Sequence, residues 1–125
     1  MLPLRFPAIW IVGGWVLVLA AVYFSVMPSP QLHIGSYDKL MHVVTYLALT
    51  LWFVGMYQRS RYAVVGFSML LLGLVLELVQ GRVGRSPEFG DLLADASGIA
   101  IALILGWSLV GGWCLWVESL IARDR

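Results

Sequence analysis

Residues 8–27 (AIWIVGGWVLVLAAVYFSVM) carry no charged side chain. Folded as a helix, roughly 20 apolar residues cross the hydrocarbon core of a bilayer, which is about 30 Å thick. In hydrocarbon every backbone N–H and C=O must be bonded within the protein, so such a run crosses as a helix. A second charge-free stretch covers residues 62–76, and the mean hydropathy of the chain is +0.89. These features describe a membrane protein and not a soluble core. Arg5 ahead of the first run also suits a signal peptide. The run is too long for a typical signal h-region, however, and ends in Tyr23-Phe24-Ser25-Val26-Met27, which lacks a small-x-small cleavage pattern. It reads as a retained helix.

Helix boundaries follow from the breakers. Pro28 and Pro30 stop the first helix, because proline lacks the N–H that would continue it and restricts the residue before it. Gly35 and Ser36 supply turn chemistry before a second helix begins near Asp38. Gln58-Arg59-Ser60-Arg61 is so short a link that the flanking helices must form an antiparallel pair. The expected helices are about 8–27, 38–57, 62–80 and 91–117, in one membrane domain over residues 1–125. The fold class is all-α: a polytopic membrane protein with four transmembrane helices in a compact antiparallel bundle. On the third helix Gly66, Gly73, Glu77 and Gln80 make a small-then-polar stripe. On the fourth, Ala94, Gly98, Ala102 and Gly106 recur every fourth residue, the small-xxx-small spacing that lets membrane helices approach closely. The lone Cys114 excludes an internal disulfide and suits packing inside an apolar helix. Trp10, Trp113 and Trp116 are expected at headgroup level, as part of an aromatic belt.

Four crossings put both termini and the 58–61 link on one side, with Arg5, Arg59, Arg61, Arg123 and Arg125. The other side has Lys39, Arg82 and Arg85. The Lys/Arg excess marks the cytoplasmic side, so both termini are expected in the cytoplasm. A net charge of +1 with no dense basic patch argues against a nucleic-acid partner.

Charged residues make up only 12% of the chain, yet residues 76–98 gather Glu77, Gln80, Arg82, Arg85, Glu88, Asp91 and Asp95. Ionisable groups at the edge of a bilayer core are costly and usually face protein or a water-filled cavity. The topology places the starts of helices two and four and the end of helix three on one face of the membrane. Asp38, His42 and Tyr46 recur every fourth residue and share a helix face. A shared polar pocket of Asp38, Lys39, His42, Tyr46, Glu77, Gln80, Arg82, Arg85, Asp91 and Asp95 is therefore expected near the outer rim. His42 and Glu77 are the candidates for moving a proton, since histidine titrates near neutral pH. Arg82 and Arg85 have the forked geometry that suits phosphate or carboxylate. Asp38 equally suits a helix cap, and Lys39 equally suits snorkelling to headgroups. One histidine among carboxylates could serve zinc or manganese. No compact ligand motif supports that, so no metal or cofactor is expected. Ser86 and Ser97 lack an adjacent base in a recognisable elbow, which disfavours nucleophilic catalysis.

The ordered set Asp38-Lys39-x-x-His42-x-x-x-Tyr46, Glu77-x-x-Gln80, Arg85-Ser86-Pro87 and Asp91-x-x-x-Asp95-x-x-Gly98 resembles the VanZ-like family of small bacterial membrane proteins. The resemblance spans nearly the whole chain from Asp38 onward. That family commonly has asparagine where Asp95 stands, so this chain has an additional carboxyl there. The resemblance implies a four-helix protein of the bacterial inner membrane, connected in the type member to glycopeptide (teicoplanin) resistance. The leading expectation is a cell-envelope protein whose outward-facing pocket recognises the head of a lipid-linked or peptidoglycan-related molecule. A membrane enzyme using acid–base catalysis on a lipid head and a small proton-coupled transporter are the alternatives. Expected partners are membrane lipids and a lipid-linked envelope precursor, with a homo-oligomer a further option for so small a bundle.

Overall fold

In the computed structural model, residues 1–27, 35–84 and 86–123 are described. Residues 28–34 of the expected link, the expected site residue Arg85 and residues 124–125 lie outside the described residues, while Gly35 and Ser36, expected to supply a turn ahead of the second helix, are instead its first residues. The elements are α1 (Pro7–Val26), α2 (Gly35–Met56), α3 (Tyr62–Arg82), α4 (Phe89–Leu105) and α5 (Trp113–Arg123). A single 3-10 turn, Arg59–Arg61, joins α2 to α3, and a π-helical turn, Gly106–Val110, extends α4. Among the described residues no strand forms. Four helical stretches are long and apolar enough to cross a membrane: Pro7–Val26, Tyr37–Met56, Arg59–Arg82 and Phe89–Val110. The chain is thus an all-α, multi-pass membrane protein.

The most extensive helix pairing joins α2 to α4, which also packs on α3. Gly98 explains the closeness of the first pair. A Cβ added there would run into the Val43 carbonyl oxygen and lie 3.0 Å from the Leu47 nitrogen. Both obstacles are backbone, so neither can swing aside. The small-residue stripe of α4 (Ala94, Gly98, Ala102 and Gly106) and that of α3 (Gly66 and Gly73) are both buried. Their spacing had marked them as contact faces. Tyr46, Leu49, Val54, Val65, Met69 and Ile99 form the main apolar core. α1 lies at the periphery, its outer face exposing Ile9, Val12, Trp15, Val16, Leu19 and Phe24. That face is apolar enough to meet lipid.

The fourth helix departs from its expected course of 91–117. The long helix ends at Val110, and the chain turns at Gly111–Gly112, where Gly112 has φ +72°. That backbone conformation strongly favours glycine. After the turn, α5 brings Cys114 and Glu118 into the interior. The Glu118 carboxylate then accepts the N–H groups of Arg5 (2.6 Å) and Phe6 (2.9 Å) and the indole N–H of Trp10 (2.7 Å). Phe6, at the start of α1, offers no side-chain cap, so α5 provides one from the far end of the chain.

The expected aromatic belt is also corrected in part. Trp10, Trp52 and Trp113 form a mutually touching triad, with ring centroids 5.2–5.6 Å apart. All three indole N–H groups are bonded within the protein, to Glu118, to the Trp10 carbonyl (3.0 Å) and to the Leu51 carbonyl (2.8 Å). A tryptophan buries well only when its N–H finds an acceptor, and here each does. Trp116 alone of the expected belt residues is largely exposed.

Candidate functional site

Three helix ends meet at the face opposite the chain termini: the start of α2, the end of α3 and the start of α4. Four-residue spacing puts Asp38, His42 and Tyr46 on one side of α2, and Asp91 and Asp95 on one side of α4. Because the two helices are pressed together one turn further in, at Gly98, these polar stripes face each other.

The ring of His42 links them. Asp95, 1% exposed, has its Oδ1 2.7 Å from His42 Nδ1. A carboxylate can only accept, so His42 donates its Nδ1–H. That leaves Nε2 pointing at Asp91 Oδ2, 3.8 Å away. One ligand atom from each of Asp38, His42 and Asp91 lies within 4.8 Å of the others. Lys39 crosses from α2 to α4, with its ammonium 2.9 Å from Glu88 Oε2 and 3.3 Å from Asp91 Oδ1.

Glu77 is buried and reaches across from α3 to the entry of α4, where its Oε1 accepts the Glu88 backbone N–H at 2.6 Å. Glu88 occupies the cap position of α4 and makes no side-chain cap of its own. A glutamate from a neighbouring helix therefore does what the glutamate of a local capping box does, accepting the N–H of the cap residue. Tyr46 lies one turn deeper than His42 and is also buried. Its hydroxyl and Asp95 Oδ2 flank Gly73, where an added Cβ would come within 3.3 and 2.8 Å of them. Glycine at this point of α3 is what lets the tyrosine and the carboxyl fit side by side.

The structure thus brings Asp38, Lys39, His42, Tyr46, Glu77, Asp91 and Asp95 to one site. Gln80 makes no bond to these groups and donates its Nε2–H to the Ser25 carbonyl at 2.9 Å, tying α3 to the end of α1. Arg82 stands exposed at the end of α3. Glu88 belongs to the site as the partner of Lys39, and sequence reasoning did not include it among the candidates. Its position just before an apolar helix, where acidic residues complement the helix dipole, was the available signal.

A groove of about 470 Å³ opens beside the cluster, between α1 and α2. Its walls are apolar, with Leu17, Ala20 and Phe24 from α1 and Ala48 and Leu49 from α2. At one end it is polar, where Asp38, His42 and Gln80 line it. From Asp38 to Leu49 the groove follows about 16 Å of helix at 1.5 Å per residue. His42 is the hinge of the arrangement, since its ring lines the groove while Nδ1 engages the buried Asp95.

The arrangement supports two kinds of chemistry. A carboxylate holding one ring nitrogen of a histidine orients the other as a proton acceptor. The same carboxylate–histidine geometry also serves metal ligation, and Asp38, His42 and Asp91 are the residues with the reach to share a cation. Carboxyl groups outnumber the lysine, Lys39, at the cluster among the described residues, which favours ligand groups that donate hydrogen bonds or carry positive charge. Comparison with models of known protein families, with characterised proteins and with solved structures returned no match.

Proposed function

We propose that this protein is a VanZ-like membrane protein of the bacterial cell envelope that binds a lipid-linked or peptidoglycan-related molecule. In this reading the termini are cytoplasmic and the polar cluster faces outward. The carrying observation is the groove between α1 and α2, which joins apolar walls to a polar end containing His42 and Asp38. A water-soluble ligand has no use for the apolar length, and a bulk acyl chain has no use for the polar end. A molecule with a lipid tail and a hydrogen-bonding head uses both.

The tail lies along Leu17, Ala20 and Ala48. The head meets Asp38 and His42, which accept from its hydroxyl or amino groups, and Gln80 closes the pocket. Arg82, exposed at the end of α3, is the residue for a phosphate or carboxylate at the rim. A family link to glycopeptide resistance fits a ligand of this class. The transporter reading is disfavoured because, apart from the Thr50 hydroxyl, the described interior just beneath Tyr46 is apolar, with Leu49, Val54, Val65, Met69 and Ile99 in the core.

One observation keeps acid–base catalysis as the second reading: the 2.7 Å bond between His42 and the buried Asp95, which orients the imidazole as a general base would need.

A polyprenyl-phosphate-linked sugar, titrated into the purified protein in detergent, tests both. Ala48→Trp fills the groove at an exposed position, and Asp38→Asn removes a head contact. Each is expected to weaken binding about tenfold or more, the equivalent of ~1.4 kcal/mol. Unchanged affinity in both variants rejects the reading. Turnover of the head that disappears in His42→Gln while affinity persists establishes the enzyme instead.

A further inference from the structure

A second groove lies at the opposite end of the bundle. It runs between α1 and α3 with a volume of about 550 Å³, and it shares no lining residue with the first. Trp15 and Val18 form one apolar wall and Met69 and Leu72 the other, while Arg61 and the N-terminal Met1 stand at its mouth. From Arg61 to Leu72 the chain rises about 16 Å at 1.5 Å per residue. That is roughly half of a ~30 Å hydrocarbon core, so the groove reaches as deep as one leaflet and no deeper.

The charge around the mouth is one-sided. Arg5, Arg59, Arg61 and Arg123 all belong to this end, and the described carboxyl beside them is Glu118. That carboxyl is buried and already accepts three N–H groups. Every other described carboxyl belongs to the far end. Arg59 is stacked over the Trp107 ring at 5.4 Å and Arg5 over Phe6 at 5.3 Å. Arg61 is exposed, lines the groove, and has no carboxylate within ion-pair distance among the described residues.

From the apolar walls, the one-leaflet depth and the arginine at the mouth, we infer that this groove is a binding site for a single anionic phospholipid, with its phosphate on Arg61. Arginine takes phosphate through two parallel N–H···O bonds, and basic pockets between membrane helices are suited to anionic head groups. A zwitterionic lipid offers the same phosphate but also brings an ammonium group to an end already crowded with arginines. A free phosphate makes no use of the apolar walls. The site does not depend on the function proposed for the polar cluster.

Native mass spectrometry of the full chain in detergent tests the inference, with dioleoylphosphatidylglycerol and dioleoylphosphatidylcholine as competing probes. The unmodified protein is expected to retain one phosphatidylglycerol with a preference of roughly fivefold or more, the order of effect of one basic side chain near an anionic lipid. Arg61→Gln is expected to bring the two lipids to parity. Ser68→Trp, which fills the groove from an exposed position of α3, is expected to lower retention of both. Arg59→Gln, with its guanidinium committed to Trp107, is expected to leave the preference intact. The inference is overturned if the unmodified protein shows no preference, if Arg61→Gln keeps it, or if Arg59→Gln loses it to the same degree. The last result would mean a diffusely basic surface and no site.

Discussion

Two residues of α2 and α4 set stability against packing in opposite ways. Thr50 is fully buried in α2, and its Oγ1 has no hydrogen-bond partner within the described residues. A buried hydroxyl without a partner costs about 1–3 kcal/mol of desolvation. Thr50→Val keeps the shape and removes the hydroxyl, so it is expected to raise the melting temperature in detergent by the equivalent of about 1 kcal/mol. A lower melting temperature would show that the hydroxyl serves a partner such as a bound water. Gly98 is the converse case. Gly98→Ala pushes a methyl group into the Val43 carbonyl, and overpacking of this kind costs roughly 1–3 kcal/mol. The same thermal assay should show a clear loss, and a neutral result would mean that α2 and α4 can part without penalty.

At the scale of elements, helices α1 and α4 share a device. Neither has a side-chain cap from its own first turn, and each is met there by a glutamate from another helix: Glu118 of α5 for α1, Glu77 of α3 for α4. Burial alone would raise the Glu118 carboxyl, but the N–H groups of Arg5 and Phe6, the Trp10 indole and the Arg5 charge outweigh it. Its pKa is therefore held below the ordinary 4.5. A carboxyl depressed by folding contributes stability above its unfolded value, and the contribution fades as pH falls through the folded one. Thermal melts of Glu118→Gln beside the parent should therefore differ most at neutral pH and converge on acidification below 4.5. A constant gap across that range would mean that the charge is irrelevant and only shape matters. In the same helix, burial and then the neighbouring Glu118 push the Cys114 thiol up to about 12. A thiol with so little thiolate reacts poorly, so maleimide at pH 8 is expected to label the unfolded chain and spare the folded one.

Across the whole molecule, charge is segregated. Arginines of the terminal end face one membrane surface, while Asp38, Glu77, Glu88, Asp91 and Asp95 gather at the other. Lysine and arginine asymmetry governs orientation. A reporter fused after Arg125 is thus expected to behave as cytoplasmic: a fluorescent protein bright, an alkaline phosphatase silent. The reverse pattern would place the polar cluster inside the cell and remove the envelope-facing part of the proposed function.

Much of this architecture was legible in the residues. The first three helices, expected at 8–27, 38–57 and 62–80, occur at Pro7–Val26, Gly35–Met56 and Tyr62–Arg82. Apolar length and proline or short polar links leave few alternatives in hydrocarbon, where the backbone must satisfy itself. The fourth helix was overrun because its apolar composition continues past Gly111–Gly112, and only the left-handed turn at Gly112 shows that the chain breaks there. The stripes of α2, α3 and α4 were likewise visible, since four-residue spacing defines a helix face on its own. What spacing does not contain is the partner across the gap. That His42 meets Asp95, that Lys39 bridges Glu88 and Asp91, and that Trp10 gathers with Trp52 and Trp113 instead of joining a belt all depend on how closely helices approach. The clearest case is Glu118, which lies just beyond the expected end of the fourth helix and caps a helix more than a hundred residues away in the chain. Local chemistry settles whether a segment is helical and which side of it is polar. Long-range hydrogen bonds are settled by packing, because a buried donor takes whichever acceptor the neighbouring helix presents.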